Sequence, residues 1–98
     1  MDALLTRLRR LLPGTEAADD LLLELLTQAQ ALILGYTGRH AMPQALTDAW
    51  LRLAMVLYNR LGTEGESWRH EGGLMIRFSE FPPMLLHQLR AWRVGRIP

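Results

Sequence analysis

Few side chains in this 98-residue sequence could take part in catalysis, and the best placed of them lie close together in its second half. Ser67, His70 and Glu71 are the residue types of a nucleophile, a base and an acid. Such a site also needs a base oriented by a third group and an oxyanion hole, and the sequence offers no pattern for either. An enzyme that uses these three residues is therefore the least favoured of three functional hypotheses.

Metal and cofactor chemistry has equally little support. His40, His70 and His87 lie in different segments, without the i, i+4 or short-loop spacing of metal ligands. The chain has no cysteine, which removes thiolate ligands, disulfides and cysteine nucleophiles together. Gly72 and Gly73 are not followed by the Lys-Ser or Lys-Thr pair of a phosphate loop. We expect no metal, no cofactor and no catalytic residue.

All eleven basic side chains are arginines, and six of them form two clusters near the ends of the chain. The clusters are Arg7, Arg9 and Arg10, and Arg90, Arg93 and Arg96. Because such clusters can contact phosphates, a second hypothesis is a small arginine-rich regulator that binds nucleic acid. Against it, ten acidic residues reduce the net charge to +1, and the connector over residues 35–42 exceeds the turn of a helix-turn-helix motif. The alternative is a solvated face that compensates a helix dipole.

The length and composition predict one globular domain spanning residues 1–98. With 49% apolar and 21% charged residues the chain should fold, although a domain this small buries only about 60–65% of its unfolded surface. Without disulfides, association with other subunits is the remaining source of added stability. No apolar run approaches the roughly 20 residues of a membrane span, so we expect an intracellular protein without a signal peptide or membrane segment.

Apolar residues at helical spacing predict a mainly α fold, a small bundle of about four helices. The predicted helices are 3–12, 20–34, 43–61 and 83–92. Asp19 or Asp20 can cap the second helix, and Gly35 and Gly38 mark its end. A proline opens the third helix in its first turn, and Gly62 ends it.

The second and third predicted helices are apolar around most of their circumference. Each has one broad core face, and further apolar residues lie outside it. Because a chain of this length has too little other protein to cover both second faces, these residues are predicted to contact another subunit. They are Leu23, Leu34, Leu51, Met55 and Tyr58.

The helical period disappears between residues 62 and 79, where four glycines predict a loop or a β-hairpin. Residues 74–79 alternate as a strand would, and the Gly72-Gly73 pair could turn the chain back toward residues 67–71. Trp68 would be exposed in this polar segment unless something covered it, which favours a docking loop over a loop folded back onto the helices of the same chain. The predicted interface therefore also includes Trp68, Arg69, Ile76, Arg77, Phe78, Arg90, Arg93 and Arg96.

Several short runs follow one another in a specific order along the chain. They are residues 19–26, 36–39, 57–60 with Gly62, 64–67, 71–73, 78–80 and Pro82. In this order they resemble the small head-tail connector proteins of tailed bacteriophages, also called DNA-packaging or head-completion proteins. The resemblance covers nearly the whole chain and is most specific over residues 57–80.

The resemblance implies a noncatalytic phage or prophage adaptor that joins about a dozen copies in a homo-oligomeric ring on the portal protein. Members of this family are often monomeric in isolation and assemble on the portal. The ring would extend the channel, through which DNA passes without sequence-specific binding, and would dock a downstream connector or tail protein. It also implies synthesis in the bacterial host cytoplasm and a final place in the virion neck. Residues 64–79 and 90–98 would engage neighbouring rings, although Trp68, Arg69 and His70 depart from the small polar residues common there.

Overall fold

The computed structural model describes residues 1–71 and 81–94, and for residues 61–71 it describes the backbone only. Within these residues the chain is mainly helical and contains no strand. Helix α1 spans Asp2–Leu11, α2 Asp19–Thr37, α3 Thr47–Glu71 and α4 Pro83–Arg90, and a 3₁₀ turn at Gln44–Leu46 leads into α3. The predicted fold class, a small mainly α protein, is confirmed.

The core lies between α2 and α3, because both helices repeat leucine and alanine at intervals of three and four residues. The predicted core faces of the two helices are largely buried. On α2 the buried apolar residues are Leu22, Leu25, Leu26, Ala29 and Ile33, and from the 3₁₀ turn through α3 they are Leu46, Ala49, Trp50, Leu51, Leu53, Ala54 and Leu57. Full burial of one such leucine stabilises the fold by about 1.5–3 kcal/mol, so this contact dominates the stability.

The two short helices pack against this pair and close the core at its edges. Helix α1 contributes Leu8, which is fully buried, while Leu11 at its end remains 46% exposed. Helix α4 contributes Leu85 and Leu89, and Phe81 just before it is also buried. The polar group at the centre is the Trp50 indole, whose Nε1–H donates to the carbonyl of Leu26 at 2.7 Å.

Both ends of α2 differ from the prediction, since the helix spans Asp19–Thr37 and not residues 20–34. Neither Asp19 nor Asp20 caps the helix, because Ala18 is the extended N-cap residue and both aspartates lie inside the first turn. Their carboxylates still favour the positive end of the helix dipole. Gly35 continues the helix, and Gly38 ends it in the left-handed conformation, with φ of 73° and its N–H on the Leu34 carbonyl at 2.8 Å.

The predicted end of the third helix at Gly62 is wrong, since α3 continues through Gly62 and Gly65 to Glu71. Glycine costs a helix about 1 kcal/mol relative to alanine, and it permits an end without forcing one. The first half of the predicted loop or hairpin, residues 62–71, is therefore helical backbone. Its second half, residues 72–79, lies outside the described residues.

Gly35, inside α2, and Gly38, at its C-cap, allow a matched test of how the helix ends. Gly38→Ala should destabilise the protein by about 1–2 kcal/mol, because φ is positive there and a Cβ would lie 3.1 Å from the Val94 carbonyl oxygen. Gly35→Ala should stabilise it by about 0.5–1 kcal/mol, because Gly35 is helical with open space around it. Urea unfolding midpoints measure both, and shifts in the same direction would contradict this account.

Candidate partner interface

The second face of α3 is covered by the chain itself. Asp48, Leu51, Met55 and Tyr58 are three or four residues apart and therefore share one side of the helix. Arg7 of α1 donates to the Asp48 carboxylate at 3.0 Å, and the hydroxyls of Thr15 and Tyr58 are 2.5 Å apart. Helix α1 and its connector to α2 thus lie along this side.

The prediction that Leu51 lies on an exposed second face is wrong, since it is only 2% exposed and belongs to the core. Met55 and Tyr58 are half-buried and pack against the same core. The sequence pattern identified their common side but could not show that α1 covers it.

The second face of α2 is more open. Leu23 is half-buried against the core, and Leu34 is half-buried one turn before Gly38. Ala31, between them on the same side, is exposed. These residues are accessible enough to contact a partner, and their predicted interface role stays a prediction.

The chain that follows α4 is anchored on the C-terminal end of α2. The backbone N–H of Val94 donates to the Thr37 carbonyl at 2.8 Å, and Arg39 Nε donates to the Trp92 carbonyl at 2.8 Å. The Thr37 side chain is itself buried and donates to the Ile33 carbonyl at 2.7 Å. The C-terminal end of α2 and the segment after α4, which are distant in the sequence, therefore form one surface.

Two arginines stack on aromatic rings at this surface. The Arg39 guanidinium lies 5.2 Å from the centroid of the Trp92 ring, and that of Arg93 lies 4.9 Å from the Tyr36 ring. Each such contact contributes about 0.5–1 kcal/mol at an exposed site. Arg90 and Arg93 are exposed. The predicted interface residues Trp68, Arg69, Ile76, Arg77, Phe78 and Arg96 have no described side chain.

In the N-terminal arginine cluster, Arg7 and Arg9 bind groups of the same chain. Arg9 donates through Nε to the Asp19 carboxylate at 2.9 Å and through Nη2 to the Ala17 carbonyl at 2.7 Å. Together with the Arg7–Asp48 pair, this contact joins α1 to α2 and α3. Exposed ion pairs of this kind contribute about 0–1 kcal/mol each, so they position α1 more than they stabilise it.

The residues considered for catalysis and metal binding do not form a described site. Ser67, His70 and Glu71 lie in the final turns of α3, where only the backbone is described. His40 and His87 are exposed. In residues 1–60 and 81–94, no three His, Asp or Glu side chains are grouped as metal ligands.

Sequence reasoning missed Met84, which is 79% exposed on the outer side of α4. The sequence pattern could have indicated this exposure. Leu85 and Leu89 occupy the inward positions of the helix, so Met84 faces outward. Val94, at the end of the anchored segment, is also 47% exposed. Both side chains are exposed apolar surface in the described part of the chain.

Comparison with known families identifies the chain. The sequence model described as phage gp6-like head-tail connector protein matches residues 9–93, which is most of the chain. The chain is therefore a structural, nonenzymatic component of a bacteriophage virion. It belongs to the phage gp6-like head-tail connector family, as the resemblance indicated.

Comparisons with curated proteins and with solved structures gave no significant match. Among the helices of the described segments, none has the length and apolar character needed to cross a membrane.

The anchor of the chain end can be tested at Trp92. Trp92→Ala removes the ring under Arg39 and its packing on the core, and should weaken the local structure by about 1–2 kcal/mol. Hydrogen exchange at the Val94 amide should accelerate roughly tenfold, while the Ile33 amide changes less. Trp92→Phe keeps a ring and should have a smaller effect. Equal acceleration at both amides would show that Trp92 supports the whole core instead.

Proposed function

We propose that this protein is the connector subunit that assembles as a ring on the portal protein of a phage or prophage. In that ring it extends the DNA channel and docks the next connector or a tail component. The observation that carries the proposal is the family match over residues 9–93. The ring, the portal and the downstream protein are inferred from the role of such connectors, and about a dozen copies are expected.

The described fold supports a subunit that is folded before it assembles. The core between α2 and α3 is complete within one chain, and α1 covers the second face of α3. Such a protein is made in the host cytoplasm, is mainly a monomer there with only weak association between copies, and takes its place in the virion neck when it meets the portal. This agrees with the dispersed exposure of apolar side chains in the described residues.

The proposed contact surface has two parts. The first is the open side of α2 around Leu23 and Leu34 together with Met84 on α4, which offer apolar contacts. The second is the end of α3, where Trp68 and Arg69 are residue types enriched in interface hot spots. DNA would pass through the ring without sequence-specific binding, because a tightly held duplex could not move.

Co-expression with the cognate portal protein, followed by electron microscopy, tests the proposal directly. We expect a closed ring of the 98-residue chain on one end of the portal. Purified portal without a stoichiometric amount of this chain would contradict the proposal. A protein that instead binds duplex DNA, with a log-log salt slope of nearly one per phosphate contacted, would support the arginine-rich regulator.

Met84→Glu tests the apolar contribution of α4 to assembly. Because Met84 is 79% exposed, the charge should change the free energy of unfolding of the isolated chain by less than about 0.5 kcal/mol. If Met84 is covered in the ring, the buried carboxylate should weaken association by about 2 kcal/mol or more. Met84→Leu keeps the apolar surface and is the matched control. Full assembly of Met84→Glu would exclude this residue from the contact.

Trp68→Ala tests the end of α3. A hot-spot tryptophan should cost about 2 kcal/mol of binding, or roughly a thirtyfold weaker affinity for the partner, without loss of folding. Trp68→Phe should retain part of the affinity. Pull-down of the portal complex and thermal unfolding of the isolated chain separate the two effects, and a parallel fall in stability would make Trp68 a core residue.

A further inference from the structure

Acidic and basic residues are concentrated in different segments of this chain, although its net charge is only +1. Residues 25–47 and 81–98 contain no aspartate or glutamate, and their basic residues are Arg39, Arg90, Arg93 and Arg96, with His40 and His87 in addition. Residues 1–24 contain five carboxylates and three arginines. The first set therefore has a formal charge of +4, and the second a formal charge of 3 − 5 = −2.

The fold brings three of these arginines to one end of α2, which we call the basic end: Arg39, Arg90 and Arg93. Arg39 follows the C-terminus of the helix, and the bond between Val94 and Thr37 holds the end of α4 beside it. Arg39 and Arg93 lie over aromatic rings, which restrict their motion. A restricted guanidinium loses less entropy when it binds a carboxylate.

Exposed carboxylates lie at the opposite end of α2, which we call the acidic end: Glu16, Asp19, Asp20 and Glu24. Asp19 pairs with Arg9, and Gln28 donates to Glu24 at 3.1 Å. Helix α2 has 19 residues and is therefore about 28 Å long. The two ends of one chain are too far apart to neutralise each other, because screening weakens exposed charges beyond about 8–10 Å.

We propose that the basic end of one copy contacts the acidic end of the next copy, so that neighbouring subunits join head to tail. This inference rests on the proposed ring and names the surfaces that form it. A two-fold contact through either end would place like charges together, whereas a head-to-tail contact pairs opposite charges. Repetition of a head-to-tail contact produces a closed ring when the rotation between copies closes.

Charge reversal with rescue tests the contact. Arg90→Glu and Asp20→Arg change exposed side chains, and each should weaken association between copies by ~10-fold or more, because like charges then face each other. The double variant restores opposite charges and should recover most of the loss. An equal mixture of the two single variants should recover as well. Arg52→Glu, an exposed arginine on α3, is the matched control and should have little effect.

A cross-linking experiment determines which ends meet. The chain has no cysteine, so Arg90→Cys and Asp20→Cys each introduce a single thiol. When the two variants are mixed and treated with a short bismaleimide, head-to-tail packing should give dimers that link residue 90 to residue 20. Mass spectrometry identifies the linked peptides. Links between two copies of residue 90, or a yield no higher than with Arg52→Cys, would overturn the proposal.

Different results would contradict the head-to-tail contact and the connector function. Rings on the portal that are unchanged by both charge reversals would overturn the head-to-tail contact and leave the connector function in place. If the wild-type chain forms no complex with the portal, the connector function fails, and sedimentation and cross-linking of the isolated chain still decide the contact. Arg90→Glu that reduces binding to random-sequence duplex DNA, with self-association unchanged, would assign the basic end to phosphate instead.

Discussion

The packing of α3 against α2 is the constraint on which the other contacts depend. The Trp50 indole N–H donates to the Leu26 carbonyl at 2.7 Å inside the apolar core. A buried donor without a partner costs about 1–3 kcal/mol, so this bond fixes the position of α3 along α2 more narrowly than leucine packing alone. Helix α1 then lies on α3, and the chain end after α4 lies on the C-terminus of α2.

Polar contacts at the periphery determine where the short elements lie on that core. The Arg7–Asp48 pair and the contact between Thr15 and Tyr58 hold α1 and its connector along the second side of α3. Since exposed ion pairs contribute little free energy, their main effect is to select one arrangement among several apolar ones. The same holds at the chain end, where Arg39 joins Trp92 by both a hydrogen bond and ring stacking.

Helix number, core faces and family could be read from the sequence, because leucine spacing and ordered motifs are local signals. The burial of Leu51 could not be assigned, since the position of α1 and its connector along that side of α3 is a tertiary contact. Gly62 was misread because glycine allows a helix to end without requiring it. Of the candidate site, the exposed Arg90 and Arg93 were identified as charges, but their closeness to Arg39 arises from tertiary contacts after α4.

Helix α1 lies along the second face of α3 and so reduces the apolar surface that the proposed assembly could use. If both second faces were bare, the isolated chain would expose a large apolar surface and would aggregate before reaching a partner. With Leu51 in the core, the proposed association between copies would depend more on exposed charge and on scattered apolar side chains such as Met84. Interactions between exposed charges are screened by salt and guide encounter, so the proposed ring would form from subunits that associate reversibly until it closes.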